Sequence, residues 1–488
     1  MKQDILSPCG KSAIAFFTAL VVSLILPPVL AADSGIAAPA DANGAIIGTW
    51  SGSLDVGGSK LPLVFHIVES SGSLAASMDS PAQGAKGIPA SSASFKAGLL
   101  SIDIAAIRGG FEGRLAADGK SIAGAWKQGG RSFQLTLTRS DNASGPARPQ
   151  TPAAPFPYSV EELKVPGGAA GVVLAGSLVI PAGKGPFPAV VLVTGSGPQD
   201  RDETILGHKP FLVIADYLAR RGIASFRYDD RGVASSTGDF SSATSLDFAA
   251  DAEAALDCLA ARKELDPGRI GIVGHSEGGL IAPIVASRDP AVGFIVLLSG
   301  PGLRGDALLL LQSEAIARAS GAGEADLAEI KAANASLYSA ALGTPGGMEE
   351  KRDAVKKAYS DYIGSREGLP AADRSAALAK ADETARALVN PWMLCFLGLD
   401  PAPYIAEVKV PVLALGGTKD LQVPVDEDFA AIRAAARPDA RLALVRLEGL
   451  NHLFQHAGSG LPSEYGTIEE TFAPEALAAI GDWISALK

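Results

Sequence analysis

Arg269-Ile270-Gly271-Ile272-Val273-Gly274-His275-Ser276-Glu277-Gly278-Gly279-Leu280 is the stretch that decides the fold. Its apolar, β-branched start reads as a buried strand, it breaks over Gly274 to Gly278, and a small-residue helix follows from Leu280 to Ser287. A serine in such a strand-to-helix turn is strained, and glycines two positions before and after it remove the Cβ atoms that would clash. The Ser276 hydroxyl then projects above a sheet, and the Glu277 N–H, at a helix N-terminus, is placed to stabilise an oxyanion.

Strands and helices alternate on both sides of this turn. Upstream lie Val172 to Ile180, the continuous apolar run Ala189 to Val193, a helical pattern from Lys209 to Arg221 stopped by Gly222, and the strand Ile223 to Tyr228. A long helix is expected from an N-cap at Ser245-Leu246-Asp247 through Leu265, ended by Asp266-Pro267-Gly268. Downstream, Phe294 to Leu298, Pro411 to Leu415 and Leu442 to Leu447 read as further strands. The pattern implies an α/β fold, a mostly parallel sheet flanked by helices with functional groups at the carboxyl ends of its strands. Residues 301–405 interrupt it with alanine-rich helices, expected as a helical cap insertion. The Trp392 to Phe396 segment either lines an acyl pocket or anchors that cap.

Asp420 follows the strand at Pro411 to Leu415, and His452 follows Leu442 to Leu447. Ser276, Asp420 and His452 thus stand in the chain order of a catalytic triad, each at a strand's carboxyl end. From about residue 158 onward, Gly195-Ser196-Gly197-Pro198-Gln199-Asp200-Arg201-Asp202, Arg227-Tyr228-Asp229-Asp230-Arg231-Gly232, the Gly274 to Gly279 turn, Gly417-Thr418-Lys419-Asp420 and Asn451-His452 resemble an α/β-hydrolase of the serine aminopeptidase-like or dienelactone-hydrolase-like esterase branch. The chain carries Thr194-Gly195-Ser196-Gly197 where lipases of another type carry HGGG. By position, the Ser196 N–H is taken as the second oxyanion donor beside Glu277.

Rival readings attach to several of these residues. His456 is a second candidate base, and Asp426 and Asp428 are alternative acids that read better as charges at a helix start. His275 is read as a packing residue and His208 as a surface or cap residue. Arg201, Asp202, Asp229 and Arg231 are expected to brace the oxyanion loop with salt bridges. Cys258 falls in a helical pattern as a small core residue, and three cysteines without a C-x-x-C pair exclude a disulfide framework. No metal or organic cofactor is implied.

Ahead of the catalytic part, residues 41–140 have a period near two, from Ile46 to Leu54 through Phe133 to Thr138, with seven strands in all. This is expected as a separate N-terminal antiparallel β-barrel-like domain, a meander that loosely resembles lipocalin modules, with Trp50 and Trp126 as core aromatics and His66 structural. Residues 141–157, with Pro146, Pro149, Pro152, Pro155 and Pro157, read as a linker, and 158–488 as the catalytic domain. Lys2 and Lys11 precede an apolar segment from Ala13 to Leu26 and small residues around Ala31, so 1–31 reads as a signal peptide cut at Ala31–Ala32 or after Ala32, with an uncleaved anchor as the alternative. Export to a periplasm or the medium follows, with no stable membrane span after cleavage. A net charge of −11 argues against nucleic acid as a partner.

Three function classes are consistent with these residues. The first is a serine hydrolase cleaving a small-molecule ester of short-to-medium acyl groups. The second is a peptidase releasing N-terminal residues or dipeptides, which needs an acidic anchor for an amino group. The third is a binding protein with an inactive hydrolase part. The intact order of Ser276, Asp420 and His452 favours the first two.

Overall fold

The computed structural model describes residues 45–487, apart from 57–58, 71–72, 81–84, 130, 141–146 and 368. The signal peptide read over 1–31 lies outside the described residues, and no helix among the described residues is long and apolar enough to cross a membrane. Two compact units divide the chain, Met1–Ala147 and Arg148–Lys488.

In the first unit, β1 (Gly48–Val56), β2 (Ser59–Ser70), β3 (Ser73–Ser80), β4 (Ala85–Pro89), β5 (Ser92–Lys96), β6 (Leu99–Ile104), β7 (Gly109–Leu115), β8 (Ser121–Gln128) and β9 (Arg131–Ser140) form one antiparallel sheet. The order is β4-β3-β2-β1-β9-β8-β7-β6-β5. Because β1 pairs with β9, the two ends of the meander sit at its centre, and β4 and β5 share no ladder among the described residues. The result is a half-barrel in place of a closed one. Alternating side chains bury Trp50, Phe65, Phe111 and Trp126 on one face, and the Trp50 indole N–H donates to the Ile46 carbonyl at 2.8 Å. Strands β4 and β5 were not among the seven expected, since Ala85 to Pro89 and Ser92 to Lys96 carry few apolar residues and are set by edge pairing. Strand β6 ends at Ile104, and Ala105–Ile107 forms a 3-10 turn closed by Arg108 at φ 48°. His66 has a carboxylate partner that sequence distance concealed: the pairing of β2 with β3 brings Asp79 Oδ2 to 2.9 Å from its Nε2.

The second unit runs β10 (Ser159–Pro166), β11 (Val173–Ile180), β12 (Phe187–Val193), α1 (Pro210–Arg220), β13 (Ala224–Tyr228), α2 (Ser245–Ala260), β14 (Leu265–His275), α3 (Glu277–Ala286) and β15 (Phe294–Leu298). Next come α4 (Gly305–Ala319), α5 (Glu324–Gly343), α6 (Met348–Ser365), α7 (Ala371–Leu378), α8 (Ala381–Leu388), α9 (Pro391–Gly398) and α10 (Ala402–Glu407). The chain ends with β16 (Val412–Gly417), α11 (Val425–Ala435), β17 (Leu442–Leu447) and α12 (Pro474–Ala486). The sheet order is β10-β11-β13-β12-β14-β15-β16-β17, parallel from β13 to β17 and antiparallel where β11 meets β10 and β13. Strands β13 and β14 flank β12 on opposite sides, so the crevice of an open α/β sheet falls between the ends of β12 and β14.

Side chains of the central strands alternate between two cores. Val191, Val193, Ile270 and Ile272 pack with α2 and α3, whereas Val190, Leu192 and Val273 pack with α1 and α12. Each such fully buried aliphatic side chain is worth roughly 1.5–3 kcal/mol of burial. Helix α2 stops at Ala260, short of the Leu265 expected, because Leu265 pairs with Phe187 and opens β14 through an irregular register. Helices α5 to α9 enclose a small core of their own that includes Leu337, Val355, Ala385 and Leu397.

From Arg148 onward, the segment read as linker is held down on this unit. The Arg148 guanidinium donates to the carbonyls of Leu206, Gly466 and Ile468 at 2.9, 2.9 and 2.6 Å, and the Gln150 amide bonds both the N–H and the C=O of Phe472. His208 completes this tie and is fully buried, not a surface residue: its Nδ1 meets Thr471 Oγ1 at 3.0 Å and its Nε2 meets the Tyr465 carbonyl at 3.0 Å. The Gln455 amide nitrogen lies 3.0 Å from the same Nε2, so both ring nitrogens are enclosed by internal polar groups. Burial, seconded by the nearby Arg148, pushes His208 down to about 4. The unfolded chain therefore takes up a proton near pH 6.5 that the folded chain refuses until about pH 4, and stability falls as pH drops through that window, by up to about 3 kcal/mol. Denaturant unfolding should show His208→Gln less stable than the parent at pH 7.5 yet with a shallower loss between pH 6.5 and 4.5; parallel pH slopes would refute this origin.

Candidate active site

Parallel register puts the carboxyl ends of β12, β14, β15, β16 and β17 along one edge: Val193 faces Gly274, His275 faces Leu298, Leu298 faces Leu415 and Gly417 faces Leu447. The loops carrying Ser196, Ser276, Asp420 and His452 leave from this edge. Ser276 has φ 52° and ψ −116°, held by its N–H to the Leu298 carbonyl at 2.8 Å. The turn closes so tightly that a Cβ at Gly274 would lie 2.0 Å from the Gly278 carbonyl oxygen, and one at Gly278 would lie 2.1 Å from that of Val193. These are the two positions where the glycines are required. The Ser276 hydroxyl makes no hydrogen bond among the described residues.

Asp420 and His452 come together. The His452 Nδ1 lies 2.9 Å from Asp420 Oδ2 and 3.1 Å from Oδ1, with both side chains buried. Burial alone would raise the Asp420 carboxyl, but His452, the Val423 N–H and Ser299 outweigh it and hold the group below its ordinary value. Asn451 stiffens the histidine loop by accepting from the N–H groups of Leu453 and Gln455 at 3.0 and 2.9 Å. The rivals are engaged elsewhere. His456 is exposed and pairs with Glu470 and Glu475, both at 2.9 Å. Asp428, read as a charge at a helix start, does lie in the first turn of α11, but it is buried there, accepts from the N–H groups of Gly302 and Leu303, and burial pushes it up to about 7.

The loop after β12 is braced from below. Asp230 accepts from the Thr194 hydroxyl at 2.8 Å and the Gln199 N–H at 3.0 Å, and Glu203 accepts from the Gly195 N–H at 2.8 Å. The Glu277 N–H directly follows Ser276 at the start of α3, Gly195 approaches the Ser276 Cβ, and neither the Glu277 nor the Ser196 N–H has a partner among the described residues. Of the expected salt-bridge frame, Arg201 grips Asp229 at 3.0 and 2.8 Å and Asp202 holds Arg227 at 2.8 Å, while Arg231 turns away to Asp251 of α2 at 2.7 Å. His275 is more than packing. It is buried between Glu203 Oε1, 2.8 Å from its Nδ1, and the His452 carbonyl, 3.0 Å from its Nε2.

The Glu277 side chain is a feature that sequence reasoning missed. It is buried, and its Oε1 accepts from the Ser245 hydroxyl at 2.6 Å and from the Trp392 indole at 2.8 Å. Burial raises its carboxyl above the ordinary value despite the opposing bonds from Ser245, Trp392 and Ser196. Among the described residues no group of three or more His, Cys, Asp and Glu side chains is arranged to hold a metal ion.

Esterase EstD of Thermotoga maritima is 28% identical to this chain over 299 residues, which cover 60% of this chain and 61% of the relative, so the chain spans less than two thirds of that protein's length. A hypothetical protein from Pseudomonas aeruginosa superposes with a TM-score of 0.42 at 17% identity, covering 68% of this chain and 96% of its own. An esterase from Pyrococcus furiosus gives a TM-score of 0.39 at 16% identity, covering 70% of this chain and 98% of its own. Residues 170–457, more than half of the sequence, match the family described as X-Pro dipeptidyl-peptidase (S15 family), and the chain belongs to that family within the α/β-hydrolases.

Proposed function

We propose that this protein is a serine hydrolase of the carboxylesterase type, cleaving esters of short-to-medium acyl groups through an acyl-enzyme. The observation that carries the proposal is the buried Asp420–His452 pair on the same sheet edge as Ser276. With Nδ1 committed to Asp420, the neutral imidazole keeps its lone pair on Nε2, the end free to take the Ser276 proton. The Oγ–carbon bond forms as that proton passes to His452, and the Glu277 and Ser196 N–H groups receive the oxyanion. His452 then protonates the departing alcohol as its bond breaks, and water, activated in the same way, releases the acid.

The neighbouring carboxylates support an ester over a charged substrate. Glu277, Glu203 and Asp230 are each bonded to internal donors, and burial raises Glu277 and Asp230 toward their neutral forms. An N-terminal ammonium would need a carboxylate with bonds to spare. The family match favours a second reading, in which the same residues release X-Pro dipeptides. The esterase relative supports the first.

We further propose that α4 to α10 serve as the cap and that α9 supplies a pocket wall. Trp392 is stacked on Phe396 at 5.4 Å and pinned by the Glu277 carboxyl, which brings an aromatic face to the nucleophile. Export rests on the apolar segment from Ala13 to Leu26 behind Lys2 and Lys11.

Purified protein should hydrolyse p-nitrophenyl acetate and butyrate, and Ser276→Ala should lower kcat by about 10⁴-fold or more. Turnover confined to X-Pro p-nitroanilides would replace the esterase reading with the peptidase one, and ester turnover retained by Ser276→Ala would refute both. Trp392→Ala should raise kcat/KM for the octanoate ester relative to the acetate by about 10-fold, since a pocket discriminates at roughly that level per small apolar group. An unchanged ratio would make α9 an anchor only.

A further inference from the structure

We infer that Glu203 and His275 form a positioning pair that locks the oxyanion loop to the loop of the catalytic histidine. This inference rests on the acyl-transfer reading of Ser276. Three segments meet in the pair. Glu203 Oε1 accepts from the Gly195 N–H and from His275 Nδ1, both at 2.8 Å, and His275 Nε2 reaches the His452 carbonyl at 3.0 Å. Holding the Gly195 N–H anchors the chain one residue before the Ser196 N–H, and the backbone of His452 carries the imidazole. One charged pair therefore sets the placement of two groups that act on the same carbonyl.

A backbone carbonyl only accepts, so Nε2 carries a hydrogen. Nδ1 faces Glu203 Oε1, the oxygen that also accepts from the Gly195 N–H, which suits a second ring N–H there. With hydrogens on both nitrogens His275 is an imidazolium facing the Glu203 carboxyl, both side chains buried. Burial opposes that charge, but Glu203, the His452 carbonyl and the more distant Asp420 outweigh it and raise His275 above its ordinary value. The rings of His275 and His452 lie 4.9 Å apart.

Two independent observations place the pair at the reacting end of the turn. Glu203 sits at φ 52°, a left-handed conformation that a non-glycine residue keeps only where its surroundings impose it. A Cβ at Gly195 would lie 3.2 Å from Ser276 Cβ, 3.3 Å from Glu203 Oε1 and 3.4 Å from His275 Nδ1, so the oxyanion loop rests directly on nucleophile and pair together.

The test uses a fluorophosphonate, which reports on Ser276 whether the natural substrate is an ester or a peptide. The Ser276 Oγ–P bond forms, P–F breaks, fluoride leaves and the proton passes to His452. His275→Asn should slow the inactivation step about 30-fold or more, with reversible binding of the reagent changed by less than about 3-fold. Glu203→Gln, which keeps the shape and the acceptor for Gly195, should lose part of the rate and guards against a misfolded His275→Asn. In protein labelled with ¹⁵N at its five histidines, the resonances that vanish in His275→Asn should show an imidazolium at pH 8 in the parent and a neutral ring in Glu203→Gln. Inactivation rates within about 3-fold of the parent in both variants, or a neutral His275 in the parent at pH 8, overturn the inference while leaving Ser276 as nucleophile. Failure of the parent to label at Ser276 overturns the acyl-transfer reading and this inference with it.

Discussion

Backbone contact at the turn around Ser276 is the constraint on which the rest of the site depends. With Gly278 packed on the Val193 carbonyl and Gly279 on Gly300, strand ends β12, β14 and β15 meet with no side chain between them. That contact holds Ser276 at a positive φ and brings the oxyanion loop against its Cβ. The same device recurs farther along the edge, where a Cβ at Gly417 would lie 2.1 Å from the Leu450 carbonyl oxygen. There it presses the Asp420 loop against the His452 loop. Strain at one serine is thus sustained by several backbone contacts, each closed by the parallel register of strands that bury aliphatic side chains on both faces.

Charge is arranged around this steric frame in a layered way. Asp420 is buried yet kept ionised by His452 and backbone N–H groups, whereas Asp230 and Glu277, also buried, are driven toward protonation because neither has a cation beside it. Glu203, like Asp420, faces an imidazole. Asp420 carries charge that orients a ring, whereas Glu277 and Asp230 act as acceptors for hydroxyl, indole and backbone donors.

How much of this was legible in sequence follows from the range of the interactions involved. The glycine spacing around Ser276, the apolar runs before each loop and the order of Ser276, Asp420 and His452 are local patterns, and the structure places all three residues on one sheet edge. Strands β4 and β5 were missed because each is five residues long with few apolar residues, too short a pattern to stand out before edge pairing fixes it. His208, Asp428 and His275 were misread for a common reason: a polar residue's burial depends on partners far along the chain, Thr471 for His208, Gly302 for Asp428 and Glu203 for His275. Nothing in the neighbours of Glu203 marks it in the sequence, since its role comes from a bond to a residue seventy-two positions away.

Glu277 shows why reaction and specificity are hard to separate in such a chain. Its N–H, under the proposed mechanism, meets the oxyanion, and its carboxyl holds the Trp392 indole of α9 and the Ser245 hydroxyl at the start of α2. A change in α9 that moves Trp392 removes a donor from a buried carboxyl next to Ser276, and a change at Glu277 releases the indole that it holds. The helices between β15 and β16 have a core of their own and so are free to differ in length and packing, but at this contact they are bound to the chemistry. Under the proposed acyl-transfer reading, a new acyl preference is then easiest at α9 positions that leave the indole–carboxyl bond intact, because there the pocket changes shape without stripping a donor from the buried carboxyl beside Ser276.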